Sequence, residues 1–200
     1  MTDEIQKIIN ITGTNNRYHM NKLMQKEKKE PKKRVVSEKW YFSNEYFEYS
    51  NQIKIISNIL KNIEEEKYVE EEKYVEEEKY VEEDVVKIVI QQINKKITGY
   101  KQQDIIKKKL DINKFINFDI VIRKMVECEL KCYYCKDNMH VLYDISREQK
   151  QWSVDRIDND MGHNIDNFHL ACLDCNLKRR CRTDKKFLFT KQLNIIKQDS

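Results

Sequence analysis

CYYC at residues 132–135 and QWSVDRIDNDMGHNIDNFHLACLDCNLKRRCR at residues 151–182 form the stretch whose reading decides the fold. It holds two Cys-x-x-Cys pairs, Cys132/Cys135 and Cys172/Cys175. Each pair makes a tight turn that aims two thiolates at one point, and two such knuckles complete a tetrahedral Zn²⁺ site. All four positions are then filled by protein, so this zinc is structural and leaves no open position for chemistry. The competing reading is four buried or redox-active thiols. Cys128 and Cys181 lie outside the pattern and read as packing or free thiols, since cysteine is commonly buried.

Between the knuckles, SVDRI (153–157) alternates well enough for a short strand. DNDMGHNID is polar, contains Gly162 and reads as a loop. NFHLAC (167–172) reads as a second strand that delivers Cys172. From Asp174 the chain CNLKRRCRTDKKF suits a helix. The order is strand, loop, strand, helix, with one knuckle leading in and the other at the helix start.

Upstream, residues 84–130 read as helices. Asp84 can cap a segment with Val86, Val89, Ile90, Ile93 and Ile97 on one face, which Gly99 stops. Ile105, Ile106 and Leu110 suggest a second helix. Asp119 opens a third, with Ile120, Val121, Met125 and Val126 inward. These helices are expected to support a cysteine module too small to bury much core alone. Residues 35–62 combine an aromatic cluster (Trp40, Tyr41, Phe42, Tyr46, Phe47, Tyr49) with Ile53, Ile55, Ile56, Ile59 and Leu60 at helical spacing and Ser50 as N-cap. A small core is the favoured reading of the aromatics, and base stacking the alternative. Residues 63–83 are an acidic linker containing three copies of EEEKYV. A six-residue period advances about 600° around a helix, so its Tyr and Val drift and form no single face. Residues 1–34 end in KEKKEPKKR and read as a basic, disordered arm, with a nucleic-acid arm or nuclear address as the alternative. Residues 191–200 are left as a tail. The fold class is α+β, mainly helical, with a C-terminal module over 131–190.

Composition narrows the partner. The hydrophobic fraction is 40%, the charged fraction 36%, and there are only 3 Gly and 1 Pro, so helix is the default. The formal net charge of +4 hides an asymmetry. Residues 64–84 carry net −9, which leaves +13 for the rest. Such a basic remainder suggests a polyanion. No apolar run approaches the roughly 18 residues of a membrane span, and MTDEIQKIIN is no signal peptide. The expected setting is intracellular, cytoplasmic or nuclear, where disulfides are rare and cysteines lean toward metal.

The run VDRIDNDMGHNIDNFHLACLDCNLKRR between the two CxxC pairs resembles the HNH endonuclease family. The similarity is strongest to the branch of phages and large DNA viruses that carries a DRIDN sequence and ends in CxxCNxxK. It covers about 50 residues, and GYKQQD (99–104) resembles the preceding region more weakly. The resemblance implies a zinc-stapled ββα-metal module of treble-clef type, in a viral protein of an infected cell. It implies Asp155 as a ligand of a catalytic divalent metal and Asn167 as the residue that orients the loop or the base, within reach of the metal. Asn176 would be the second oxygen ligand, and Lys178 the basic residue facing phosphate. Mg²⁺ or Mn²⁺ suits those oxygens. Where the family has its first His, the general base, this chain has Arg156. Arginine stays protonated and has no acceptor, so it cannot activate water but can clamp phosphate. The DRID branch shares this change. His163 is the candidate substitute base, since an ordinary histidine titrates in the range the work needs. His169 reads as structural, and Asp158 as a further metal ligand that no spacing demands. Lys178, Arg179, Arg180, Arg182, Lys185 and Lys186 are expected to contact phosphates.

The expectation is therefore a metal-dependent endonuclease hydrolysing DNA, with structural zinc and catalytic Mg²⁺ or Mn²⁺. A catalytically inactive zinc module that binds nucleic acid is the alternative. A protein-interaction domain, in which the acidic repeat and aromatic cluster do the work, is the third reading.

Overall fold

Helix α1 (Tyr49–Glu66) starts where the aromatic cluster ends and buries Ile55, Ile56 and Ile59. It belongs to a computed structural model that describes residues 31–66 and 80–192. The EEEKYV copies over 67–79, the basic arm up to residue 30 and the tail from 193 lie outside the described residues. The chain divides into two units, Met1–Lys32 and Lys33–Ser200, and every helix and strand named below belongs to the second.

Helix α2 (Tyr80–Ile106) is 27 residues long. It runs through Gly99, which was expected to stop it, so the two helices read from 84–110 are one. Asp84 lies inside α2 and does not cap it. A glycine inside a helix costs about 1 kcal/mol, and contacts made beyond it offset that. The buried apolar row is Val85, Val89, Ile93 and Ile97, a four-residue repeat. A second row, Gln92, Lys96, Tyr100 and Asp104, also faces inward and is polar. Gln92 Oε1 accepts from Arg34 at 2.9 Å. Lys96 Nζ donates to Gln151 Oε1 at 2.8 Å and to the Trp152 carbonyl. Tyr100 Oη accepts from the Val154 N–H at 3.0 Å. Asp104 holds His163.

The helix ends with Lys108 at φ 55. The N–H of Lys108 bonds to the Ile105 carbonyl and that of Lys109 to the Asp104 carbonyl. This is the paired termination that glycine usually serves. Helix α3 (Phe118–Glu127) is N-capped by Asn117, whose Oδ1 accepts from the Ile120 N–H at 3.0 Å. It buries Val121, Ile122 and Met125 and packs on α1.

Strands β1 (Trp152–Arg156) and β2 (Phe168–Cys172) pair antiparallel, with Trp152 opposite Cys172 and Arg156 opposite Phe168. The register is centred on Gly162. The expected helix from Asp174 divides in two, α4 (Leu173–Arg179) and α5 (Asp184–Gln192). Arg180 breaks it at φ 53. Arg182 N–H closes the turn on the Arg179 carbonyl, and Arg179 Nη1 reaches back to the Arg182 carbonyl. The described architecture is mixed helix and sheet, mainly helical: five helices and one two-stranded sheet. Among the described residues, no helix is long and apolar enough to cross a membrane.

The aromatic segment packs as a satellite of the core. Trp40 stacks on Phe42 at 5.6 Å and Phe42 meets Tyr46 edge-on. Tyr41 alone points out, 96% exposed. Arg34 ties the segment down, its guanidinium 4.1 Å over Tyr143 and its Nη1 on the Tyr143 carbonyl.

Candidate functional site

The first knuckle closes through two backbone bonds, Lys136 N–H to the Cys132 carbonyl and Cys132 N–H to the Asp137 carbonyl. Lys136 turns the chain at φ 61. The second knuckle begins at the end of β2 and continues into the first turn of α4, so Cys172 and Cys175 stand on a strand end and a helix start. The Tyr133 N–H to Leu170 carbonyl bond locks one knuckle to the other. The sulfurs of Cys132, Cys135, Cys172 and Cys175 lie within 4.8 Å of one another, and Cys135 and Cys172 are 3.9 Å apart. A tetrahedron with Zn–S bonds of about 2.3 Å has edges of about 3.8 Å. The four cysteines could hold a metal ion, and thiolate donors at this separation suit zinc. Four crowded thiols do not ionise together unaided. Cys132 is held well below the ordinary thiol range by hydrogen bonds from Cys172 and Cys175. Cys172 is pushed up to about 12, mainly by that same interaction. A divalent cation removes this conflict by stabilising every thiolate. Cys128 and Cys181 stand outside the cluster as free thiols, half-buried and exposed respectively.

Directly opposed residues of an antiparallel pair share a face. Asp155 is opposite His169 and Ser153 opposite Ala171. Helix α4 lies on that face, because Asn176 Nδ2 donates to Ser153 Oγ and to the Val154 carbonyl, both at 3.1 Å. The sequence placed Asp155 and Asn176 at one site, and the hairpin and helix bring both to this face. The amide of Asn176 is spent on β1, which leaves its carbonyl oxygen as the donor for a cation.

Asp155 is 3% exposed. The Tyr134 hydroxyl donates to its Oδ2 at 2.5 Å, and Arg179 Nε stands 2.7 Å from the same oxygen. Burial pushes the Asp155 carboxyl up, while Tyr134 and Arg179 pull it back. Arg179 is 1% exposed, and its other nitrogens donate to the carbonyls of Arg156 and Arg182 and to Asn159 Oδ1. It was expected on phosphate, but the structure puts it inside the module as the counter-charge of Asp155. A carboxylate and a carboxamide oxygen are the hard donors that Mg²⁺ or Mn²⁺ takes. A cation there would share Asp155 with a guanidinium that already balances its charge.

The loop is built by its own side chains. Asn167 Nδ2 donates to the carbonyls of Asp158 and Gly162 at 2.9 and 3.0 Å, and its Oδ1 accepts from the Asp158 N–H at 2.8 Å. Asp158 Oδ1 accepts from the Asp160 N–H. His163 is 4% exposed. Its Nδ1 lies 2.8 Å from Asp104 Oδ1, its backbone N–H donates to Asp104 Oδ2 at 2.6 Å, and its ring stacks on Tyr100 at 4.7 Å. Burial pushes its pKa down, with Asp104 opposing. The geometry makes it an anchor joining loop to α2, with its ring turned from solvent. Arg156 Nη1 donates to the Met161 carbonyl at 3.1 Å, so this arginine braces the same loop.

Of the tail residues, Lys178 is exposed and pairs with Asp174 at 2.8 Å, and Arg180 and Arg182 are exposed. Sequence reasoning gave no role to Tyr134 or Asp104. It read His169 as structural, and the structure stacks its ring on Tyr133 at 3.7 Å and sets its Nε2 3.6 Å from Asp184 Oδ2, across from Asp155. Strand register about Gly162 is the one signal that could have paired His169 with Asp155. The chain matches no family model, no curated protein and no solved structure.

Proposed function

We propose that this protein is a metal-dependent endonuclease of the HNH type, hydrolysing phosphodiester bonds in DNA through a zinc-stapled module at residues 131–190. The observation that supports it most is the placing of Asp155 on β1 and Asn176 on α4 on one face of a hairpin whose second strand ends in the four-cysteine cluster. A hard divalent cation held by Asp155 and Asn176 would supply Lewis-acid polarisation of the scissile phosphate. The protein does the rest by positioning. Asn167 fixes the loop, and Tyr134 and Arg179 orient the Asp155 carboxylate. Arg156, Lys178, Arg180 and Arg182 offer cationic groups to phosphate oxygens. His169, oriented by Asp184 and sharing a face with Asp155, is a better placed base than the buried His163.

Two observations favour a second reading, a nucleic-acid-binding module without cleavage. The Asp155–Arg179 pair already neutralises the carboxylate, and Arg156 cannot act as a base. Plasmid nicking in Mg²⁺ and in Mn²⁺, beside Asp155→Asn, separates the two. The asparagine keeps the side-chain shape, and a thermal melt checks that the variant folds. Nicking lost in a folded Asp155→Asn supports the enzyme. Equal background from both proteins, with salt-sensitive DNA binding retained, supports the silent module.

A further inference from the structure

The last turn of α2 and the connector from it to α3 carry a surface that the candidate site does not use. Ile106 and Ile112 are each 79% exposed and Ile105 is 47% exposed. Across from them, the β1–β2 loop exposes Met161 and Ile165. Single exposed apolar residues are ordinary, but a group of them on joined segments marks an interaction surface. These segments are joined. Ile165 N–H donates to the Lys114 carbonyl at 2.8 Å and Ile116 N–H to the His163 carbonyl at 3.0 Å. Lys109 Nζ donates to the Asn159 carbonyl at 2.6 Å.

Charge names the partner. Lys107, Lys108 and Lys114 are exposed, and none enters an ion pair among the described residues. Lys61, Lys87, Lys124, Lys131, Lys150 and Lys178 each pair with a carboxylate. The ridge is therefore an apolar crest flanked by three exposed lysines, with Lys109 among them paired to Asp160 at 3.6 Å, on a segment tied to the loop that Arg156 braces. The crest is aliphatic. Single strands are gripped by aromatic platforms, whereas aliphatic side chains seat against the grooves and base steps of a duplex.

We propose that residues 105–114 form a second contact for double-stranded DNA, beside the candidate site. Lys107, Lys108 and Lys114 meet phosphates, and Ile106 and Ile112 seat in the groove. This rests on the nucleic-acid reading of the module and adds the form of substrate it grips. The grip sits on a segment fixed to the loop by main-chain hydrogen bonds, so a duplex held there is held in register with Asp155.

Anisotropy titrations of the full-length chain test it, using a labelled duplex of about 30 base pairs and the matching single strand over a salt series. Plasmid nicking is measured on the same preparations. In Lys107→Ala/Lys108→Gly/Lys114→Ala, duplex affinity falls at least tenfold. The slope of log K against log salt flattens by about 2 to 3, at roughly 0.9 for each phosphate no longer neutralised. In Ile106→Ser/Ile112→Ser, affinity falls several-fold with the slope unchanged, because no counterion release is involved. All five positions are exposed, so both variants melt like the parent. If the parent binds duplex and both variants match it, the ridge is overturned while the nuclease reading stands. Preference for the single strand overturns it too. So does a ridge whose variants lose a protein partner but not DNA. A parent that binds no nucleic acid removes both proposals together.

Discussion

At Arg179 a side chain that reads as a phosphate contact proves to be an internal counter-ion. Nothing in CNLKRR marks which of its three basic residues turns inward, because that depends on the phase of α4 over β1. Removing one partner of a buried pair strands the other charge, at about 3–5 kcal/mol. Arg179→Met is expected to destabilise the protein by about that much in urea titrations. Arg179→Met/Asp155→Leu is expected to recover most of it. A loss below about 1 kcal/mol in the single variant would show that the pair carries little. Lys96 gives a second test. Burial, aided by Arg34, pushes its ammonium down to about 7 from 10.5. Between those values the unfolded chain holds a proton that the folded chain has released, so stability rises with pH across the window, and as pH falls from 10.5 the loss is complete by about 7. The difference in melting temperature between the parent and Lys96→Met should change with pH between about 7 and 10.5 and level off outside it.

Among the elements, the hairpin and the knuckles were legible because their signals are local: alternation, a polar loop around Gly162 and fixed cysteine spacing. Helix α2 was legible in its apolar row (Val89, Ile93, Ile97) but not in its length or its second inward face. Gln92, Lys96, Tyr100 and Asp104 carry no local signal for burial, and only the partners Arg34, Trp152, Val154 and His163 turn them inward. Gly99 looked like a stop because its cost is local while the contacts that offset it lie far along the chain. The break at Arg180 was missed for a related reason, since arginine carries no turn signal and the left-handed backbone is held by Arg179. Two glycines make opposite predictions. At Gly99 a Cβ would meet nothing within 4 Å, so Gly99→Ala should stabilise by about 1 kcal/mol. At Gly162 a Cβ would collide with the Lys109 carbonyl oxygen and stand 2.9 Å from Asp104 Oδ2. Gly162→Ala should cost about 1–3 kcal/mol and, on the proposed reading, weaken DNA binding through the displaced loop. Denaturant titration of both variants checks the signs.

For the molecule as a whole, the four cysteines join the segment after α3 to the end of the hairpin, so metal removal should act globally. Purified protein is expected to release about one zinc per chain on thiol modification. Chelation or Cys172→Ser should lower the melting temperature cooperatively, because binding energy at such a site is folding energy. Protein that carries no metal and melts unchanged in chelator would make the cluster a set of packed thiols. The polar row of α2 has a different consequence. Its four side chains sit one turn apart and grip in order Arg34, the start of β1, the middle of β1 and the loop at His163, so the helix acts as a ruler whose phase matters as much as its length. One residue added between Gln92 and Asp104 would swing the far end by about 100° and put the aromatic segment and the loop out of step. An insertion ahead of Val85 leaves the phase of that row untouched, so the same added residue is disruptive or silent toward these four grips according to which side of Gln92 it falls on.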